Sequence, residues 1–120
     1  MKEKEFLGIL NASPKKRYKN FVSTVADWEY VWLLESPGEG YATIDIDDIM
    51  YLMVWPKKEF AEAFADGASV TSIEVHDFCE RCEQIEENVK FMVFPNGKDT
   101  CIVDAETLLN DILEKLEELE

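Results

Sequence analysis

Apolar residues recur at helical spacing in five places along the chain, with short alternating or continuous apolar runs between them. Phe6, Leu7, Ile9 and Leu10 predict a short first helix. Ser13-Pro14 restarts the chain, with Ser13 as N-cap and Pro14 at the first helical position. Tyr18, Phe21, Val22, Val25 and Trp28 then carry a second helix to about Trp28. Tyr30 to Glu35 reads as a strand, Ser36-Pro37-Gly38-Glu39-Gly40 as a hairpin loop and Tyr41 to Ile46 as its partner. After Asp47-Asp48, Ile49 to Trp55 is apolar enough for a central strand. Pro56 opens a helix presenting Phe60, Ala61 and Phe64, and Asp66-Gly67 ends it. Val70 to Glu74 is a weaker strand. A helix from Val75 to Glu87 then buries Phe78, Cys82 and Ile85. Lys90 to Phe94 and Thr100 to Val103 flank a second hairpin turn, Pro95-Asn96-Gly97-Lys98-Asp99. Asp104 caps a last helix, whose Leu109, Ile112, Leu116 and Leu119 form an apolar seam.

Hairpins joining neighbours imply a mostly antiparallel sheet of five to six strands with helices packed on one face. The expected class is α+β, one compact domain over residues 1–120, with the first residues and the final turn frayed. A chain of 120 residues is long enough to bury a core. With 47% apolar residues, it falls outside the composition of disordered chains.

Charge changes the picture more than composition does. The formal charge is −14, and residues 1 to 20 alone carry +4, so the remainder carries −18. Such a field disfavours nucleic acid and favours a basic protein partner. The apolar runs are too short to cross a bilayer. The opening Met1-Lys2-Glu3-Lys4-Glu5 and the short apolar stretch after it do not make a signal peptide. A cytoplasmic location follows as the expectation, with no membrane partner. Three cysteines, an odd number, do not suggest a disulfide framework.

Two helices carry charges that oppose their dipoles. Lys15, Lys16, Arg17 and Lys19 crowd the positive end of the second, and Glu117, Glu118 and Glu120 the negative end of the last. Each such charge costs about 0.3–1 kcal/mol. Lys15, Lys16 and Arg17 are therefore candidates for binding an anion, or for meeting the acidic helix end within the chain or across a homodimer.

Ala12-Ser13-Pro14, Arg17-Tyr18, Phe21, Asp27-Trp28-Glu29, Val31-Trp32-Leu33, Gly40-Tyr41, Val54-Trp55-Pro56, Glu59-Phe60-Ala61, Asp77-Phe78 and Phe94-Pro95 occur in that order. This set resembles the small bacterial family known as domain of unknown function 2750, over nearly the whole chain. The resemblance implies a compact bacterial α+β domain and brings no established activity. It also implies that the thiol pair and the basic cluster are local to this chain, since family members carry apolar residues at Cys79 and Cys82 and acids at Lys15 and Lys16.

Four further groups of residues carry candidate chemistry. His76, Cys79 and Cys82 form a His-x-x-Cys-x-x-Cys pattern which, with Cys101, has the donor types of a zinc site. Cys82 also falls on the apolar stripe, where a thiol acts as a small hydrophobe. His76 is the only histidine available for acid–base work. Asp45, Asp47 and Asp48 read as a solvated turn rather than a cation loop. Trp28, Trp32, Trp55, Tyr18, Tyr41 and Phe60 read mostly as core, with Trp32 and Tyr41 beside Asp45 and Asp47 as the expected protein-binding surface. No catalytic residue and no cofactor is assigned. The leading expectation is a non-enzymatic, acidic protein-binding or regulatory domain, with an immunity-type inhibitor of a basic partner as one form. Its rival is a small-molecule-binding or metal-dependent enzyme using His76 and the cysteines.

Overall fold

The computed structural model describes residues 2–38 and 40–120; Met1, and Glu39 within the expected hairpin loop, lie outside the described residues. In chain order it has α1 (Glu3–Leu10), α2 (Pro14–Trp28), β1 (Tyr30–Ser36), β2 (Gly40–Tyr41), β3 (Thr43–Ile46) and β4 (Ile49–Val54). Then come α3 (Lys58–Ala65), β5 (Ser69–Glu74), α4 (Val75–Glu83), β6 (Val89–Val93), β7 (Cys101–Asp104) and α5 (Ala105–Glu118). Local chemistry sets most boundaries. Ser13 Oγ accepts from the Lys16 N–H at the start of α2, and Glu74 accepts from the His76 and Asp77 N–H groups at the start of α4. Asp104 accepts from the Thr107 N–H, which holds its carboxyl below the usual range. Asp66 and Gly67, at φ 46° and 91°, end α3 in the left-handed region. Asp47 and Asp48, at φ 50° and 66°, make the tight turn between β3 and β4.

The α+β class stands, with one change of architecture. The strands form two sheets rather than one sheet of five to six strands: β2-β1-β5 and β3-β4-β6-β7. The reason lies at Ala42. The run from Tyr41 to Ile46 does not stay with one neighbour: Tyr41 pairs with Glu35 of β1, and Thr43 pairs with Leu52 of β4. The chain thus changes sheets within two residues. The strands are mostly antiparallel, as expected, with one parallel pair, β4 with β6, where α3, β5 and α4 intervene. The remaining ladders are antiparallel. Helices cover both faces of β1 rather than one. Leu33 and Leu34, adjacent and so pointing to opposite sides, are both buried. α4 is shorter than expected and gives way at Gln84.

Among the described residues, one isolated bridge pairs β1 with the second sheet. Trp32 N–H donates to Trp55 O at 3.0 Å, and Trp55 N–H returns to Trp32 O at 2.9 Å. Around it sit the largest core side chains, among them Trp55, Phe60, Phe91, Phe94 and, from the helices, Phe21, Leu108 and Ile112. α1 joins this core by stacking Phe6 on Phe60, centroids 5.0 Å apart, and Phe60 packs on Phe94 at 4.7 Å.

Among the described residues, Arg17 is the one buried charged group, 1% exposed. Its Nε donates to Phe94 O at 2.9 Å, and one terminal nitrogen donates to Ala12 O at 2.6 Å. The other terminal nitrogen reaches Asp99 O at 2.8 Å and Asp99 Oδ1 at 2.6 Å. Phe94 sits at φ 55°, a costly conformation for an aromatic residue. That kink aims one carbonyl at Arg17 and the next, Pro95 O, at Trp55 Nε1. Removing the guanidinium leaves the buried Phe94 carbonyl unpaired. Arg17→Ala is therefore expected to cost about 3–5 kcal/mol in urea unfolding. Arg17→Lys should recover little of this, since an ammonium cannot span three sites in a planar fork. Asp99 is 50% exposed, so Asp99→Asn should cost about 1 kcal/mol or less.

Candidate functional site

The structure does not assemble the candidate zinc ligands. Cys79 and Cys82 lie on the inner stripe of α4, buried against the sheets. Cys101 is half-buried on β7, and His76 is exposed at the first turn of α4. Among the described residues, no group of three or more His, Cys, Asp or Glu side chains is placed to hold a metal ion. The imidazole Nε2 lies 3.9 Å from a Glu74 carboxylate oxygen. Burial pushes the Cys79 thiol up to about 11, helped by Glu74 and Glu83, and the Cys82 thiol up to about 12. Both therefore stay protonated at neutral pH, and a thiol is neither a nucleophile nor a metal ligand in that form. Both belong to the buried core cluster.

Nor do Trp32, Tyr41, Asp45 and Asp47 form one surface. Trp32 pairs with Ser72 and Tyr41 with Glu35. Residues 32 and 35 of one strand point to opposite faces, so the two aromatics do as well. Asp45 and Asp47 lie on the β3–β4 hairpin of the other sheet, exposed to solvent.

Trp32, expected at a binding surface, instead neighbours Trp28, which sequence reading placed in the core, and Tyr30. Trp28, at the last turn of α2, is 63% exposed, and Tyr30 is 49% exposed. With Trp32, Pro56, Lys57, Lys58 and Glu59 they line an open groove of about 330 Å³. Lys57 Nζ lies 4.5 Å from the Trp28 ring centroid, a cation–π contact that holds the indole at the surface. One signal for this was present in the chain. Trp28 is bracketed by Asp27 and Glu29, and Glu29 takes a left-handed conformation (φ 69°) that turns the backbone out of the helix.

The basic cluster separates into two parts. Arg17 is committed to the interior and unavailable to any anion, whereas Lys15, Lys16 and Lys19 are exposed. Lys15 and Lys19 line a cleft opposite Glu114 and Glu118 of α5, so the start of α2 lies beside the end of α5. Of the two dipole-opposing charge clusters, Lys15 and Lys19 of one and Glu118 of the other thus line the same cleft. Lys115, 3.1 Å from Glu118, adds a cation near the carboxyl end of α5. Deeper in the cleft, the Tyr18 hydroxyl donates to Asp111 Oδ2, and burial together with that carboxylate pushes the phenol's pKa up.

The thiols yield a prediction with a definite sign. An unfolded thiol loses its proton near the ordinary value of 9.0, whereas the native Cys79 and Cys82 keep theirs to about 11 and 12. The native state therefore binds more protons in that window, and stability falls as pH rises from 9 toward 12. Cys79→Ala/Cys82→Ala should flatten that part of the stability–pH curve in urea titrations. Alkylation of the native protein should label Cys101 first, with Cys79 and Cys82 slower by roughly a hundredfold, as read by peptide mass spectrometry.

No curated protein and no solved structure matches this chain. The family model described as "Protein of unknown function (DUF2750)" matches residues 18–112. That span runs from Tyr18 in α2 through both sheets to Ile112 in α5. The resemblance drawn from the ordered aromatic and proline anchors is thereby confirmed, and the chain belongs to the DUF2750 family.

Proposed function

We propose that this protein is a non-enzymatic protein-binding domain of the bacterial cytoplasm, and that the groove of Trp28, Tyr30 and Trp32 is its recognition surface. The observation that carries this reading is the exposure of Trp28 and Tyr30 next to one another. Large rigid aromatics with a polar edge supply much contact area at little entropic cost, and they dominate binding energy where they are found at interfaces. The groove carries both signs of charge: Lys57, Lys58 and Glu59 line it, Asp27 and Glu29 flank Trp28 in sequence, and Glu74 pairs with Tyr30 across the ladder. The preference for a basic protein rests on the net charge of −14, which would speed its capture. An inhibitor of a basic protein is the most concrete form of this reading. No helix among the described residues is long and apolar enough to cross a membrane, which fits the proposed compartment.

The test is affinity purification from the native host with wild-type protein and with Trp28→Ser/Tyr30→Ser. The expected result is a basic protein retained by the wild type, lost from the double variant, and bound more slowly as salt rises. Recovery of the same proteins by both forms would sink the proposal. Both substituted side chains are exposed, so thermal unfolding of the double variant should match the wild type.

A further inference from the structure

We infer that a second site, on the opposite side of β1 from the aromatic groove, binds a free α-amino acid with an apolar side chain. It lies where the two sheets part. Beyond the Trp32–Trp55 bridge, β1 and β4 make no further pairs, and the gap between them is roofed by α4. Leu33 and Ile73 from one sheet, Leu52 and Phe91 from the other, and Phe78, Cys82 and Ile85 from α4 and the turn after it enclose a cavity of about 190 Å³. That is room for one phenyl or isobutyl group, since an apolar cavity of about 150 Å³ already takes up benzene.

The mouth of the cavity is polar and holds both signs of charge. Asp77, Glu80, Arg81 and Gln84 recur at helical spacing and form one stripe beside the apolar stripe of Phe78, Cys82 and Ile85. With Tyr41, Ser72, Ile73 and Glu74 this stripe lines a groove that shares Tyr41, Ile73, Arg81 and Gln84 with the cavity. The Arg81 guanidinium lies 5.9 Å from the Tyr41 ring centroid. Among the described residues, no carboxylate forms an ion pair with it. In a chain with 26 acids and 12 basic residues, an exposed arginine over an aromatic ring, with no ion pair among the described residues, is a cation with capacity to spare.

A ligand with an apolar end in the cavity would meet Arg81 and, on the same stripe of α4, Asp77 one turn before it and Glu80 beside it. The group that satisfies both is a carboxylate and an ammonium on one carbon. A plain carboxylic acid would meet the acids unneutralised, and the negative field of the whole chain would oppose it further. A plain amine would leave the guanidinium unused.

The probes are L-phenylalanine and L-leucine, with 3-phenylpropanoate (no amine) and phenethylamine (no carboxylate) as controls. Binding would be followed by amide chemical shifts of the full chain at millimolar ligand. The amino acids should shift Ile73, Phe78 and Ile85, and each control should bind at least about tenfold more weakly. Arg81→Ala, which removes an exposed side chain, should reduce phenylalanine to the affinity of phenethylamine. Trp28→Ser should change nothing here, so failure at one site is separable from failure at the other. Absence of shifts with either amino acid, equal binding of 3-phenylpropanoate, or unchanged affinity in Arg81→Ala would each overturn the assignment.

Discussion

The structure depends on a single chain of hydrogen bonds that begins at the contact between the two sheets. Trp32 and Trp55 exchange backbone bonds where β1 meets β4. The Trp55 indole is held by Pro95 O, the Phe94 N–H donates to Val54 O at 2.8 Å, and the Phe94 carbonyl is taken by Arg17. Arg17 passes the connection to Ala12 before α2 and to Asp99 after the turn. Asn96 adds a bond of 2.8 Å to Leu10 O, at the end of α1. Segments far apart in sequence are thereby fixed to one another at a point where sheet pairing alone supplies two bonds. A buried guanidinium is a costly way to do this. It is retained where three carbonyls and a carboxylate would otherwise converge with no donor.

How much of this was legible in the chain differs from element to element. Ser13-Pro14 and Asp104 announce their helices because capping is local chemistry, with donor and acceptor three residues apart. The hairpin at Pro95 to Asp99 is legible for the same reason: the Asn96 side chain accepts from the Lys98 and Asp99 N–H groups. The split at Ala42 is not, because two residues of β2 and four of β3 share one pattern and differ only in their distant partners. Parallel pairing of β4 with β6 is hidden likewise, since apolar runs do not state direction.

The candidate sites show the same division. Cys82 was legible as filler because its neighbours on the stripe, Phe78 and Ile85, fix which way it points. Arg17 was misread as surface charge because it stands among Lys15, Lys16 and Lys19 in sequence. Its burial follows from Phe94 and Asp99, some eighty residues away. Trp28 was misread in the other direction. It sits in helical register with Val25 and Phe21, but one turn beyond the point where the helix leaves the core. Lys15 and Lys19 of α2 share a cleft with Glu114 and Glu118 of α5, a proximity that no local pattern states.

The alternation of side chains along β1 has a mechanical consequence. Trp32 and Leu33 are consecutive, yet one lines the aromatic groove and the other the cavity beneath α4. The strand between them is fixed along one edge by the β5 ladder and on the other by the Trp32–Trp55 bridge and the Ala42 N–H bond to Leu34 O. The backbone of β1 is therefore a wall common to both recesses, one peptide unit thick and braced from either edge.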